Sequence, residues 1–397
     1  MGDQQFGVYV HVPFCSSRCD YCDFATWTDR AHLMVEYVDA CVRDVERRHL
    51  PPATSVFFGG GTPSLLEARQ LARIIEAIDR VTGAEVTVEC NPDSVDSPKL
   101  AAYASAGVNR VSFGVQSMQD HVLRALGRTH DPANVTSAVA SARAAGIARI
   151  NLDLIYGAAG ESVDDWRATL DATLALEPSH VSAYALTVEP ATPLGRAVAS
   201  GRRVAPDDDD QAVKYEVADD RLRGAGLEWY EISNWAVPGE ECRHNLVYWE
   251  QGEYAAIGSA AHGHTVQGDG SACRWWNVRT PERYIAAIAA GDSPEAGREQ
   301  LDASARASER LALALRTRKG IKLEGFFADL LRVDPCIEEL CRAGLVHGRT
   351  DGGDRLTLTR RGRLLANDVT ARLLVALEDA ADVPGPVYRP ALGRIGR

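Results

Sequence analysis

The stretch Val8-Tyr-Val-His-Val-Pro-Phe-Cys-Ser-Ser-Arg-Cys-Asp-Tyr-Cys22 decides the fold, because a run of strand character leads directly into three cysteines. Cys15, Cys19 and Cys22 have the spacing C-x-x-x-C-x-x-C. Three thiolates on one short loop can hold three corners of a four-iron cluster, whereas a cluster that only carries electrons usually has four cysteine ligands. The fourth iron would be open to a small molecule. A zinc site completed by His11 or His32 is the alternative.

Similar β-like runs recur from Gly7 to about Leu186, and helix-like segments such as Ala31–His49, Leu65–Arg80 and Ala133–Ala145 lie between them. Repeated β-α units are typical of a parallel sheet with helices on the outside. The sequence therefore predicts an α/β fold, a partial (β/α)6 TIM-like barrel that is open on one side. Its predicted strands are Val8–Val12, Ser55–Phe58, Glu85–Glu89, Arg110–Val115, Arg149–Ile155 and His180–Ala185.

Glycines and polar residues follow these strands, beginning with Gly59-Gly-Gly-Thr-Pro63 after the second strand. Glycine allows backbone amides to approach a ligand closely. Glu89, Gln116, Arg128 and Asp153 lie in or after later strands. The carboxyl ends of parallel strands meet at one edge, where sites form in this class of fold. These polar residues either pair internally or line a site for an amino-acid head group and a ribose.

The remainder of the chain has a different pattern. The four aspartates at 207–210 predict a solvated helix start before Gln211–Gly224, and the region 224–276 reads as irregular. Helices at 303–317, near 323–331 and at 335–343 then precede a hairpin, 345–347 with 356–358, and a helix from Arg361. We expect a barrel domain at 1–235, a connecting region at 236–301, a winged-helix-like domain at 302–376 and a flexible tail at 377–397.

Composition excludes several classes of protein. The net charge is −12 and the pI about 5.4, which argues against nucleic-acid binding. There is no secretory signal and no apolar stretch of about 20 residues, so we expect a cytoplasmic protein. The other six of the nine cysteines are scattered, which is typical of small buried hydrophobic residues rather than of a disulfide framework.

In combination, Tyr9-x-His-x-Pro-Phe-Cys, the cysteine triplet, Gly-Gly-Thr-Pro, Gly114-Val-Gln-Ser117, Gly127-Arg-Thr-His-Asp131 and Asn151-x-Asp-Leu-Ile-Tyr-Gly157 resemble radical S-adenosylmethionine (SAM) proteins. More narrowly, they resemble the oxygen-independent coproporphyrinogen III oxidase family and its HemW-type heme chaperone subgroup. This resemblance implies a [4Fe–4S] cluster on Cys15, Cys19 and Cys22. It also implies that SAM contacts a set of positions at the sheet edge, namely Tyr9, Tyr21, Gly60, Gly61, Thr62, Glu89, Gln116, Arg128 and Asp153.

One departure from the family pattern lies at Gly157-Ala-Ala-Gly160, where the family more often has Gly-Leu-Pro. Ala158 and Ala159 lack the fixed φ of proline, so the sequence predicts a less rigid turn.

Three features favour the chaperone over the oxidase by resemblance. Phe24 stands where the oxidase has a further cysteine, only 14 residues precede Cys15, and His244-Asn-Leu-Val-Tyr248-Trp249 matches the H-N-x-x-Y-W signature of the HemW type. The resemblance implies a protein that binds heme and delivers it to an acceptor hemoprotein. A respiratory acceptor at the membrane and a homodimer are further expectations. Oxidative decarboxylation of coproporphyrinogen III is the alternative.

Neutral imidazole is the common axial donor to heme iron, so His244 is a candidate heme ligand and Tyr248 a second one. Cys242, His262 and His264 are further candidates. The alternative is a structural corner in which His244 is hydrogen-bonded and Trp249 is packed.

Overall fold

The computed structural model describes residues 5–128, 130–323, 334–348 and 355–380. Its centre is a mixed sheet of 12 strands, six of which are parallel neighbours in chain order. This arrangement confirms the predicted (β/α)6 core. The six strands are β1 (Phe6–Val12), β2 (Ala53–Gly60), β3 (Arg80–Cys90), β4 (Arg110–Gln116), β5 (Arg149–Tyr156) and β6 (His180–Ala185).

Helices connect the parallel strands and cover one face of the sheet. Capping side chains start several of them: Ser162 accepts from the Asp165 amide, and Asp207 accepts from the Asp210 amide. The aspartate run is thus a helix start, as predicted. Three 3₁₀ turns (Ala31–Leu33, Pro63–Leu65 and Pro92–Ser94) accompany the helices α1 (Met34–Arg48), α2 (Ala68–Ala77), α3 (Ser97–Ser105), α4 (Asp120–Ala125), α5 (Pro132–Ala144), α6 (Val163–Leu174), α7 (Pro193–Ala199) and α8 (Asp208–Gly224).

The core lies between the sheet and these helices. Alternate residues of a strand point to opposite faces, so Val8, Val10 and Val12 are buried on one face of β1. Tyr9 and His11 therefore point to the other face. This second face is the one on which polar side chains of the parallel strands collect.

The region 224–276 is not irregular, contrary to the prediction. It contains the helix α9 (Arg243–Trp249) and five short strands, and a sixth follows at 295–301. The first pair of strands continues the sheet beyond β6, and the other four continue it beyond β1. They are β7 (Glu228–Glu231), β8 (Asn234–Ala236), β9 (Glu253–Ile257), β10 (His262–Val266), β11 (Ala272–Asn277) and β12 (Glu295–Leu301).

The C-terminal part forms a second hydrophobic cluster and a small antiparallel sheet. The predicted hairpin is confirmed, since residues 346–347 pair antiparallel with 357–358. The predicted helix near 323–331 and the turn at 350–354 lie mostly or wholly outside the described residues. Of the tail predicted as flexible, 377–380 is helical and the rest lies outside the described residues. The elements are α10 (Pro281–Ala290), α11 (Ala303–Ala314), β13 (Ile321–Lys322), α12 (Asp334–Arg342), β14 (Val346–His347), β15 (Arg355–Leu358), α13 (Arg360–Leu364) and α14 (Ala366–Ala380).

Candidate functional site

The three cysteines lie on a loop that leaves the carboxyl end of β1. The loop is closed at its base, because the Cys15 amide donates to the Trp27 carbonyl (3.0 Å) and the Trp27 amide donates to Pro13 (2.8 Å). A tighter turn places the Cys22 amide 3.2 Å from the Cys19 carbonyl oxygen. All three cysteines are free and partly buried. The backbone thus presents three thiols from one compact loop.

Polar groups from the turns that follow β2 and α4 approach these thiols. The Thr62 hydroxyl lies 3.7 Å from Cys15 Sγ, and Arg128 Nη1 lies 3.6 Å from Cys19 Sγ. Burial raises the pKa of Cys15, and it raises the pKa of Cys22 to about 11. The thiolate form needed for iron ligation is therefore unfavourable in the bare loop, and bound iron would supply the positive charge that stabilises it.

The glycine turn after β2 fits tightly against the start of the cysteine loop. The Gly61 amide donates to Val12 O and the Thr62 amide to Phe14 O, both at 2.8 Å. A Cβ on Gly61 would lie 2.7 Å from Phe14 O, and one on Gly60 would lie 2.4 Å from the His11 ring. Gly60 also has a φ of +108°. Only glycine fits at these two positions.

Two carboxylates face each other on the polar side of the sheet. Glu89 accepts from the Gly60 amide at 3.2 Å, while Asp153 accepts from Ser112 (2.6 Å) and Asn151 (2.8 Å). Burial, and then the charge of Asp153, raise the pKa of Glu89 to about 8. Burial also raises the pKa of Asp153, against the hydrogen bonds that it accepts. A cationic ligand between them would relieve this unfavourable pair.

The remaining predicted SAM positions belong to the same edge. Arg128 Nη2 donates to the Gly114 carbonyl (2.7 Å), and Gln116 ends β4 with a φ of +63°. Tyr9 lies beside Gly59 and Glu89, and its hydroxyl is 3.1 Å from His11 Nδ1. Tyr21, on the cysteine loop, packs with the apolar cluster around Val122, Leu126 and Ile155. The structure therefore brings the sequence-predicted set to one sheet edge.

These residues fit the cofactors that the resemblance implies. The tight glycine turn holds the base of the cysteine loop in place, and Arg128 Nε beside it is buried without a hydrogen-bond partner. Cys15, Cys19 and Cys22 would hold the cluster, and the turn with Glu89 and Arg128 would hold a zwitterionic amino-acid head group.

The zinc alternative gains no support from this geometry. His11 is buried, and both of its ring nitrogens lie near partners, Tyr9 Oη and the Ala25 carbonyl oxygen (3.0 Å). In the described parts of the chain, no three His, Cys, Asp or Glu side chains converge on one metal position. Cluster ligands need no such convergence, because each thiolate binds a different iron.

The predicted heme ligands His244 and Tyr248 are hydrogen-bonded to each other. His244 is fully buried, with Nδ1 2.9 Å from the Ser55 hydroxyl and Nε2 2.8 Å from the Tyr248 hydroxyl. Burial lowers the pKa of His244 to about 3. Neither nitrogen has a lone pair available to iron in this conformation, so the geometry is that of a structural corner.

The other candidate heme ligands differ in exposure. Cys242 and His264 are buried, and the Cys242 thiol donates to Glu85. His262 is exposed and stacks on Trp276, with ring centroids 6.0 Å apart. It begins β10 near the carboxyl end of β1, close enough to His11 that the two rings interact electrostatically. Among these histidines and Cys242, His262 alone is exposed.

Sequence reasoning missed the side chains that hold Asp153. Asn151 Nδ2 also donates to the Ser112 and Ser182 hydroxyls, so strands β4, β5 and β6 share one hydrogen-bond network. Asn151 lies two residues before Asp153, which places both on one face of β5. That spacing was the available signal.

Comparisons with known proteins agree with this geometry. The family model of the radical SAM superfamily matches residues 9–173. The heme chaperone HemW of Mycobacterium tuberculosis is 43% identical over 386 residues, covering 94% of this chain and 96% of that protein. The heme chaperone HemW of Bacillus subtilis is 32% identical and covers 92% of this chain and 98% of that protein.

A solved structure shares the fold. Coproporphyrinogen III oxidase HemN from Escherichia coli superimposes with a TM-score of 0.78 at 20% identity, covering 93% of this chain and 90% of that one. No helix in the described ranges is long and apolar enough to cross a membrane.

Proposed function

The chain belongs to the radical SAM superfamily and, within it, to the heme chaperone HemW family, and on that premise we propose that it binds heme and delivers it to acceptor hemoproteins. A [4Fe–4S] cluster and SAM, which membership of the superfamily implies, act as its resident cofactors. The similarity to heme chaperones over 94% of the chain carries this proposal. The shared fold alone does not distinguish a heme carrier from a coproporphyrinogen III oxidase.

The sheet edge supports cofactor binding in specific ways. When bound, the cluster and SAM supply one-electron chemistry at the iron that has no cysteine ligand. The chain's own part is to hold the thiols on one loop, to pack the turn of Gly60 and Gly61 against the base of that loop, and to place Arg128 beside Cys19.

Heme ligation by the H-N-x-x-Y-W motif requires the corner to open. His244 and Tyr248 reach iron only if their mutual hydrogen bond breaks and the helix α9 moves away from Ser55. His262 needs no such change in burial, because it is exposed at the cofactor edge. We therefore place His262 beside His244 as a candidate axial ligand.

Oxidative decarboxylation of coproporphyrinogen III is the second candidate, favoured by the shared fold with HemN. By resemblance, the oxidase has a further cysteine at the position that Phe24 occupies in this chain. An anaerobic assay separates the two functions. We expect reconstituted protein with SAM, reductant and coproporphyrinogen III to yield no protoporphyrinogen IX. Turnover to that product would overturn the carrier proposal.

A heme titration run alongside identifies the ligand. We expect about one heme per chain with a Soret band that shifts on binding. Loss of the shift in His244→Ala but not in His262→Ala would identify His244 as the axial ligand of the heme iron. The reverse result would identify His262. Absence of any saturable heme binding would sink the proposed function.

We also propose how the protein assembles and where it acts. A homodimer, a respiratory acceptor at the membrane and a cytoplasmic location fit a heme carrier that docks on its acceptors. The net charge of −12 supports the absence of nucleic-acid binding. Light scattering with and without SAM tests for the dimer. If the chain dimerises, its measured mass doubles in one of the two states.

A further inference from the structure

A cavity of about 210 Å³ opens beside the cysteine loop and contains polar side chains that the cofactor assignments do not use. Ser16 and Ser17 of the loop form one wall, while Thr62 and Arg128 belong to the predicted SAM positions. Asp93 and His130 are the other titratable residues of the lining. His130 lies in the motif Gly127–Asp131, but the resemblance gave it no role.

His130 is the unexplained group in this cavity. Its side chain is only 5% exposed, and neither ring nitrogen makes a well-formed hydrogen bond, although the Val115 carbonyl lies near enough to act on the pKa of the ring. Arg128 Nε, in the same wall, is buried and unpartnered as well. Leaving a buried donor or acceptor without a partner is unfavourable, so these unsatisfied nitrogens beside one cavity point to a ligand that satisfies them.

The electrostatics of the cavity specify the kind of ligand. Burial, followed by the Arg128 charge, lowers the pKa of His130 to about 4, although Asp93 and the facing Val115 carbonyl oppose this. The ring is therefore neutral at physiological pH, with one N–H donor and one acceptor. Together with the Arg128 guanidinium and the hydroxyls of Ser16, Ser17 and Thr62, it provides donors for a carboxylate.

We propose that His130 is a positioning residue for SAM, whose methionyl carboxylate accepts a hydrogen bond from the His130 ring while Arg128 pairs with the same group. The inference rests on the proposed function, since it assumes that SAM binds at this edge. The cavity also borders Ser16 and Ser17 between two cluster cysteines, so the same contact fixes the head group relative to the loop.

The test is SAM binding to anaerobically reconstituted protein, measured by equilibrium dialysis. His130→Leu keeps the approximate size of the side chain but removes both nitrogens, and we expect its Kd to rise about tenfold, the value of one lost hydrogen bond. His130→Gln restores an N–H donor and should recover most of the affinity. His121→Leu, at a half-exposed position on α4, is the matched control and should bind as the wild type does.

Two further readouts separate a positioning role from a folding defect. Iron content should be equal in all four proteins, and the change that SAM causes in the EPR spectrum of the reduced cluster should be smaller in His130→Leu only. Equal Kd values for the wild type and His130→Leu would overturn the inference and leave the proposed function intact. A wild-type protein that fails to bind SAM would instead overturn the proposed function.

Discussion

At the scale of single residues, Gly61 leaves no room for a larger side chain at the base of the cysteine loop. An added Cβ would meet the backbone oxygens of Phe14 and Val12 at 2.7 and 2.8 Å, which cannot turn aside as a side chain would. We expect Gly61→Ala to lower the free energy of unfolding by about 1–3 kcal/mol, and to lower iron content, because it displaces the base of the cysteine loop.

Urea unfolding and iron analysis check this expectation. Gly268→Ala is the control, since nothing lies within 4 Å of its added Cβ. A Gly61→Ala protein with wild-type iron content and midpoint would show that the glycine turn does not shape the loop.

Glu89 makes the stability of the cluster-free chain depend on pH. Its pKa is raised from 4.5 to about 8, so the folded chain keeps a proton that the unfolded chain has released in this range. The free energy of unfolding therefore falls as the pH rises from about 4.5 to 8. Glu89→Gln has no such proton and should show a shallower fall, with the remainder due to Asp153.

Unfolding midpoints at pH 5 and pH 8 measure the difference. Glu46→Gln, on an exposed position of α1, serves as the control and should follow the wild type. Parallel pH profiles for wild type and Glu89→Gln would contradict the assigned environment of Glu89.

Local residue patterns predicted much of the site, and distant pairings limited the rest. The cysteine spacing and the glycine turn are local signals, and the structure brings them together as predicted. The burial of His244 has no local signal, because its partner Ser55 lies 189 residues earlier in the chain. Sequence alone could therefore identify His244 as a candidate ligand but could not show that its nitrogens are already used.

At the scale of elements, the turn Gly157–Gly160 is tied down without the proline that the family more often has. The Gly157 amide donates to Glu161 (2.6 Å), and Lys214 of α8 donates to the Glu161 carbonyl oxygen (2.8 Å) and to Asp210. The Lys214 and Glu161 side chains are fully buried. The expected loss of rigidity at Ala158 and Ala159 is therefore offset by a buried ion pair.

Lys214→Met leaves the Glu161 charge buried without its partner. We expect the free energy of unfolding to fall by about 3–5 kcal/mol, the usual cost of breaking a buried pair. The double variant Lys214→Met/Glu161→Gln should be less destabilised, because it removes both charges. A double variant that is less stable than Lys214→Met would contradict this account of the turn.

The parallel strands were predictable because each is an apolar run that is buried on at least one face. The antiparallel extensions were not, because β7 to β10 have only 3–5 residues and include polar positions such as His262 and His264. Such short strands are stabilised by pairing with strands that are distant in sequence. The strand β9, in the second half of the chain, pairs with β1 near its start. Periodicity within a short window cannot detect that contact.

At the scale of the whole molecule, Asp219 connects the sheet region to the C-terminal part. Its buried carboxylate accepts from Trp235 (2.9 Å) and Arg363 (3.1 Å) and pairs with Arg360 (3.3 Å). The Arg363 guanidinium also lies 3.8 Å from the Trp229 ring centroid. The Asp219 side chain of α8 thus binds two of the three arginines of α13, Arg360 and Arg363.

Asp219→Asn removes the charge that these arginines face. We expect a loss of about 3–5 kcal/mol in the free energy of unfolding, and faster cleavage of the C-terminal part in limited proteolysis. Asp208→Asn, at the exposed start of the same helix, is the control. Equal cleavage rates for the two variants would show that Asp219 does not hold the C-terminal part in place.

The whole molecule is arranged around the cysteine loop, which the parallel sheet presents at its polar edge. The cluster is therefore the feature on which SAM binding and the proposed heme delivery depend.

The most direct test is the iron and acid-labile sulfide content of the protein after anaerobic reconstitution, beside a variant with Cys15→Ser, Cys19→Ser and Cys22→Ser. We predict about four irons and four sulfides per chain in the wild type and neither in the variant. A colourless wild type without iron and sulfide, or a triple variant that holds as much of both, would contradict the account.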